Sequence, residues 1–189
     1  MLDLTHAFAT FPVLHTERMM LRAVTEDDAP DIFRIMADPL AMRYFGRVPM
    51  TDLTEAVQRA KNCEAAFQER TGIRWALSLK EQPDYIGSSG YWRIVNEHHR
   101  AEIGYELVPE YWGRGLMPEA LAAILHFGFS VMGLHSVEAN IHPDNTGSRR
   151  VLEKLGFVQE GYFRENFREV DGNYSDSAVF SLLRPKSAG

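Results

Sequence analysis

The sequence predicts an α/β protein, one mixed sheet carrying helices on both faces. Three observations predict it. Amphipathic helical segments open the chain, strands able to pair as an antiparallel meander follow, and strand–helix–strand alternation fills the second half. That order belongs to a layered α/β architecture and not to a bundle or a sandwich. The 189 residues suit a single domain. A composition 45% hydrophobic and 24% charged excludes wholesale disorder.

Residues 1–15 show no steady period and read as an N-terminal arm before a domain at 16–185. Met19, Leu21 and Ala23 alternate with polar or longer neighbours and predict a strand over 18–23. Thr25 followed by Glu26, Asp27 and Asp28 starts a helix, because carboxylates suit its positive N-terminal end. Ala29, Ile32, Phe33 and Met36 form its apolar face, and Asp38-Pro39 stops it. A second helix over 53–69 buries Ala56, Ala60, Cys63 and Phe67.

Trp75, Leu77 and Leu79 alternate as a strand, Pro83-Asp84 reads as a turn, and a further strand covers 85–95. The polar run 96–100 connects it to a strand at 101–108. Beyond a loop at 109–115 come a helix over 118–132, a strand over 135–142, a helix over 145–155 and a strand over 157–163. After the turn at Asp171-Gly172-Asn173, a last strand covers 175–183.

Charge and cysteine content narrow the function. With 20 basic against 26 acidic residues the net charge is −6, so broad electrostatic binding of nucleic acid is disfavoured and cationic substrates stay open. The single cysteine, Cys63, allows neither an intramolecular disulfide nor a cysteine-based zinc site, and on its helical stripe it reads as a small buried apolar residue. His98 and His99 have no third metal ligand at a useful spacing, so no metal is expected. The chain has no basic start followed by an apolar run, and no apolar stretch near the ~20 residues of a membrane span. The expected setting is cytoplasmic, away from membranes.

Two segments can carry chemistry. In the first, a strand leads through Gly113-Arg114-Gly115 into a helix with Pro118 in its first turn. Glycines there let successive N–H groups converge on a phosphate or pyrophosphate, or simply make a tight turn. A Rossmann fingerprint fails at Pro118, and a Walker loop is absent. In the second, Asp144-Asn145 leads into a helix with Ser148 in its first turn and Gly156 at its end. Asn145 can be a plain N-cap, or its amide can bond an amide-bearing ligand arm.

Taken together, these segments resemble the Gcn5-related N-acetyltransferase (GNAT) superfamily, and within it the ribosomal-protein N-terminal acetyltransferase branch. The likeness runs from about residue 16 to 183. It is carried by Thr16-Glu-Arg-Met-Met-Leu-Arg22, Ala101-Glu-Ile-Gly-Tyr105, Tyr111-Trp-Gly-Arg-Gly115, Glu119-Ala-Leu121, Asp144-Asn145 with Ser148, Glu153-Lys-Leu-Gly-Phe157, and Asp171-Gly172 with Asp176.

The resemblance implies a mostly antiparallel sheet with a splayed central strand pair, and acetyl-CoA as co-substrate. The family's pyrophosphate loop, Gln/Arg-x-x-Gly-x-Gly/Ala, falls on Trp112, Gly113, Arg114, Gly115, Leu116 and Met117. Gly115 matches, Trp112 replaces the Gln or Arg, and Met117 replaces the last small residue. By the same resemblance, the backbone of Leu107 and Val108 and the amide of Asn145 hold the pantetheine arm. Two catalytic positions frequent in the superfamily carry Leu152 and Asn140 here, neither able to move a proton. Glu102 keeps the position of a further glutamate and is the candidate base, with Ser148 the candidate on the thiol side. Glu106 reads as a solvent-facing strand carboxylate, and Glu165, Glu169 and Asp176 can line the amine site.

The implied activity is transfer of acetyl to a primary amine, either the α-amine of a protein or peptide or a small amine, by a monomer or homodimer. An acyl-CoA-binding module without transfer is the alternative, motivated by Leu152 and Asn140. A nucleotide-binding protein using the Gly113–Gly115 loop is remote.

Overall fold

The computed structural model describes residues 2–186. Its strands are β1 (Leu14–His15), β2 (Met19–Ala23), β3 (Ile73–Leu79), β4 (Gln82–Val95), β5 (Arg100–Leu107), β6 (Ser136–Ile141), β7 (Val158–Arg168) and β8 (Tyr174–Leu183). Its helices are α1 (Ala29–Met36), α2 (Pro39–Met42), α3 (Leu53–Gln68), α4 (Leu116–Ser130) and α5 (Thr146–Lys154). The strands form one sheet in the order β1-β2-β3-β4-β5-β6-β8-β7. Every neighbouring pair is antiparallel except β5 and β6. Among the described residues no helix is long and apolar enough to cross a membrane.

The parallel pair positions the site. β5 and β6 are in register only at Arg100↔Ser136, Ala101↔Val137 and Glu102↔Glu138. Beyond Glu102 the strands separate, and β6 pairs with β8 on its other side as far as Ile141. Half of β5 therefore borders a gap and not a strand, which is the splay expected of the fold.

Two cores flank the sheet. On one face α4, through Leu116, Leu121, Ile124 and Leu125, packs with Trp75, Ile103 and Leu152. On the other, Ala29, Ile32, Ile35 and Met36 of α1 meet Ala56 and Ala60 of α3 over Ala76 and Tyr85. Cys63 is half-buried against this second core, and burial pushes its thiol up, away from reactivity.

Several expectations change. The N-terminal arm is part of the core: Leu4, Ala7 and Phe8 are buried, Phe8 stacks on Phe67 at 5.2 Å, and the Trp75 indole N–H donates to the Pro12 carbonyl at 2.8 Å. An irregular sequence hides this, since burial of a non-repetitive segment leaves no period to read. Pro39 does not merely stop α1. It opens α2, with Asp38 accepting from the Leu40 N–H at 2.7 Å as N-cap. Pro83 and Asp84 lie inside β4, and the reversal falls at Lys80 and Glu81 instead. β7 continues past 163 to Arg168, carried by pairing with β8 across an irregularity between Phe163 and Phe167.

Candidate active site

The gap between β5 and β6 opens into a cleft of about 680 Å³. Its walls are the end of β5 (Tyr105 to Leu107), the loop and first turn of α4, the start of α5, and the segment from Leu40 to Phe45.

The loop has the geometry that its glycines allow. Gly113 and Gly115 stand at φ 73° and 75°, in the left-handed region that disfavours residues with a Cβ. Gly115 is the N-cap of α4 and has no side chain to cap it, so the first N–H groups of the helix have no intrahelical partners. They border the cleft, with the helix dipole behind them. Met117 is only 5% exposed, its side chain sunk into the α4 core, and Leu116 is buried with it. The large residue at the last loop position thus packs into the core while still contributing to the cleft lining.

Trp112 and Arg114 both have partners within the protein. The Trp112 indole N–H donates to the Leu107 carbonyl at 2.7 Å, tying loop to strand. The Arg114 guanidinium lies over the Tyr111 ring at 5.1 Å and is not among the residues that line the cleft. The cleft's cations are Arg43, Arg150 and Lys154, against Asp144 and Glu106 as its acidic residues. A polyanion suits that balance.

The Val108 N–H donates to the Ile86 carbonyl at 2.9 Å, so it is spent inside the sheet. Antiparallel ladders alternate, and this bond turns the N–H and C=O of Tyr105 and Leu107 toward the gap. The Leu107 carbonyl is already taken by Trp112, which leaves the Leu107 N–H and the Tyr105 backbone for an extended arm. Of the two backbone positions expected to bond pantetheine, the ladder therefore offers Leu107 and withdraws Val108.

Asn145 fills the first of its two possible roles and keeps the second open. Its Oδ1 accepts from the Ser148 N–H at 3.0 Å as the N-cap of α5, which leaves the amide NH₂ free to donate at the cleft wall. Ser148 meets Tyr105 across the cleft with its Oγ 2.7 Å from the phenol oxygen. Burial pushes that phenol up to about 12 despite the bond to Ser148, so it stays protonated. Sequence reasoning missed Tyr105, although its place three residues after Glu102 on an alternating strand put it on the opposite face. Leu152, one turn beyond Ser148, is wholly buried and takes no part.

The two β5 carboxylates are both buried, and neither stands where expected. Glu102 lies where β5 and β6 are still paired, about 10 Å along the strand from Tyr105. It is absent from the cleft lining and its Oε2 accepts from Arg93 at 3.0 Å. Its sequence context could not show where the strands part. Glu106, read as solvent-facing, is 4% exposed. It bonds Arg59 at 2.9 Å, Tyr85 at 3.2 Å, and also Arg74 and Ser88. Burial alone would raise its pKa, but Arg74 and Arg59 overcome that and hold it at about 2. Glu106 is thus a fixed anion at neutral pH and a poor base.

Around the cleft, the Tyr44 ring packs at a tilt against His142, centroids 5.1 Å apart, and the Phe167 ring lies where a Cβ on Gly46 would be. The β7–β8 hairpin thereby rests on the segment after α2. Glu165, Glu169 and Asp176 do not line the cleft. Asp176 is engaged by the Tyr162 hydroxyl and by the Glu165 N–H at 2.8 Å, while Glu169 accepts from the Ser175 hydroxyl at 2.5 Å.

A splayed strand pair, a left-handed Gly-x-Gly loop capping a helix, and an amide at a facing helix start define an acyl-CoA-dependent transferase. The chain belongs to the GNAT family: a model of the acetyltransferase (GNAT) domain matches residues 18–158. It is 35% identical over 176 residues to an uncharacterised N-acetyltransferase, YoaA, of Bacillus subtilis strain 168, covering 93% of this chain and 99% of that one. It is 30% identical over 185 residues to the [ribosomal protein uS5]-alanine N-acetyltransferase of Escherichia coli K12, covering 91% of each. A GNAT-family acetyltransferase structure from Bacillus anthracis superposes with a TM-score of 0.83 at 25% identity, over 93% of this chain and all of that one. The protein is an N-acetyltransferase, and GNAT acetyltransferases use acetyl-CoA. An acyl-CoA-binding module without transfer finds no support among these relatives.

Proposed function

We propose that the protein transfers an acetyl group to the α-amine of a protein or peptide. The observation that carries this reading is the β7–β8 hairpin beside the cleft. Phe163 and Phe167 are exposed on one face of it and Tyr162 and Tyr174 on the other, and the phenylalanine pair offers an extended polypeptide an apolar contact that a small amine would not need. The likeness to a uS5-alanine N-acetyltransferase over 91% of both chains supports it.

The cleft fits acetyl-CoA, which supplies an acyl group activated as a thioester. The N–H groups of residues 115–117 would hold its pyrophosphate, with the Trp112–Leu107 bond fixing their loop. The Leu107 N–H and the Asn145 NH₂ would bond the amides of its arm. The Ser148 hydroxyl would donate to the departing sulfur, held in place by the Tyr105 phenol. The acceptor must lose a proton to become a nucleophile. Glu106 is held ionised by its arginines, and Glu102 is outside the cleft, so Asp144, exposed in the cleft wall, takes that proton directly or through water.

Thiol release should be followed with peptides of free N-terminus, the same peptides Nα-blocked, and diamines and polyamines. Free peptides should give the highest kcat/KM and blocking should abolish it. A preference for polyamines by tenfold or more would overturn the assignment.

A further inference from the structure

Arg18 stands outside the cleft yet grips the loop that forms its floor. Its Nη1 donates to the Arg114 carbonyl at 3.0 Å. Its Nε donates to Glu119 Oε2 at 2.7 Å, and its backbone N–H to Glu119 Oε1 at 2.9 Å. The Thr16 hydroxyl donates to the same Oε1 at 2.6 Å and accepts from the Met19 N–H at 3.0 Å. Glu119 lies in the first turn of α4, so one carboxylate joins the start of β2 to the start of the cofactor helix.

The consequence follows from peptide geometry. In a trans peptide the C=O and the next N–H point in opposite directions, and the chain has no cis bond among the described residues. With the Arg114 carbonyl drawn to Arg18, the Gly115 N–H must face the other way, into the cleft that Gly115 lines. Gly115 itself cannot enforce this. A glycine adopts φ of either sign with similar ease, so the 114–115 peptide is free to flip unless something outside the loop holds it. Arg18 is that hold. Its own charge is met by Glu119 at 2.7 Å, so it acts through geometry more than through its field.

We propose that Arg18, fixed by Glu119 and Thr16, is a positioning residue for the cofactor: it locks the 114–115 peptide so that the Gly115 N–H is presented to the pyrophosphate of acetyl-CoA. This rests on the reading of residues 112–117 as the pyrophosphate cradle.

Titration calorimetry on the full chain, with CoA and with pantetheine, tests it. Arg18→Met should weaken CoA binding at least tenfold, about 1.4 kcal/mol. Pantetheine, which has no pyrophosphate, should bind as to wild type. The CoA defect should be the same in 0.05 M and 0.5 M salt, because a peptide orientation is not screened. Arg18→Lys keeps the charge but gives up the rigid fork that spans Glu119 and the Arg114 carbonyl. It should lose at least threefold, and it stands in if the Met variant does not fold. A defect that vanishes in high salt, or that strikes pantetheine equally, would overturn the proposal. Gly115→Val separates the two levels. If it weakens CoA while Arg18→Met does not, the cradle stands and the role of Arg18 falls. If neither does, the cradle itself is wrong.

Discussion

Replacing Glu106 by glutamine probes the charged lock beneath the cofactor strand. Glu106 joins β5 to α3 through Arg59, to β3 through Arg74, and to β4 through Tyr85 and Ser88. It also sits between Tyr105 and Leu107, whose backbone groups face the gap. Its pKa lies at about 2 against an ordinary 4.5, so ionisation favours the folded state by about 3 kcal/mol at neutral pH. The folded pKa is depressed, so this contribution is complete above 4.5 and is lost as pH falls toward 2. Glutamine would further strand two guanidinium groups that are mostly buried, and removing one partner of a buried pair costs about 3–5 kcal/mol. In a domain of this size that lowers Tm by roughly 6–20 °C. Thermal and denaturant unfolding of Glu106→Gln and wild type should be compared at pH 7 and pH 3. The gap should shrink by about 2 kcal/mol at the lower pH, as the wild type begins to lose its advantage. A gap under about 1 kcal/mol at pH 7, or one independent of pH, would refute the view of Glu106 as a buried structural anion.

Gly115→Val should weaken CoA binding more than about tenfold. Its Cβ would stand an unobjectionable 3.6 Å from Arg18 Nη2, so the effect must come from the φ of 75°, which costs a side chain about 1–2 kcal/mol and moves the N–H groups as it relaxes. Ser148→Ala should lower kcat about tenfold or more in steady-state thiol release, and Tyr105→Phe added to it should cost little extra, since the phenol acts through the serine. Strict additivity would count against the pair. Glu102→Gln should leave kcat within a few-fold, because its carboxylate answers to Arg93 outside the cleft; a hundredfold fall would return it to the chemistry. Phe8→Ala should cost about 3 kcal/mol in denaturant titration, for its ring stacks on Phe67 inside the core, and a neutral result would detach the arm.

Some of this was legible in the chain alone. Alternation marked β2 and β3, the 3.6-residue stripe marked α3, and Gly113, Gly115 and Asn145 announced their loop and cap, because each signal lies within a few neighbouring residues. The ordered motifs were enough to suggest the family. Tertiary structure decided matters that turn on partners far apart in sequence. Glu102 and Glu106 share a face of β5 and look alike locally. Only the point where β6 departs, and the arrival of Arg59 from 47 residues upstream, take one away from the cleft and make the other a buried anion. The bond between Arg18 and Glu119 spans 101 residues, and that between Tyr105 and Ser148 spans 43. Local pattern sets which face of an element is apolar. Which polar groups meet across the fold depends on how the elements pack, and a one-dimensional period carries no record of that.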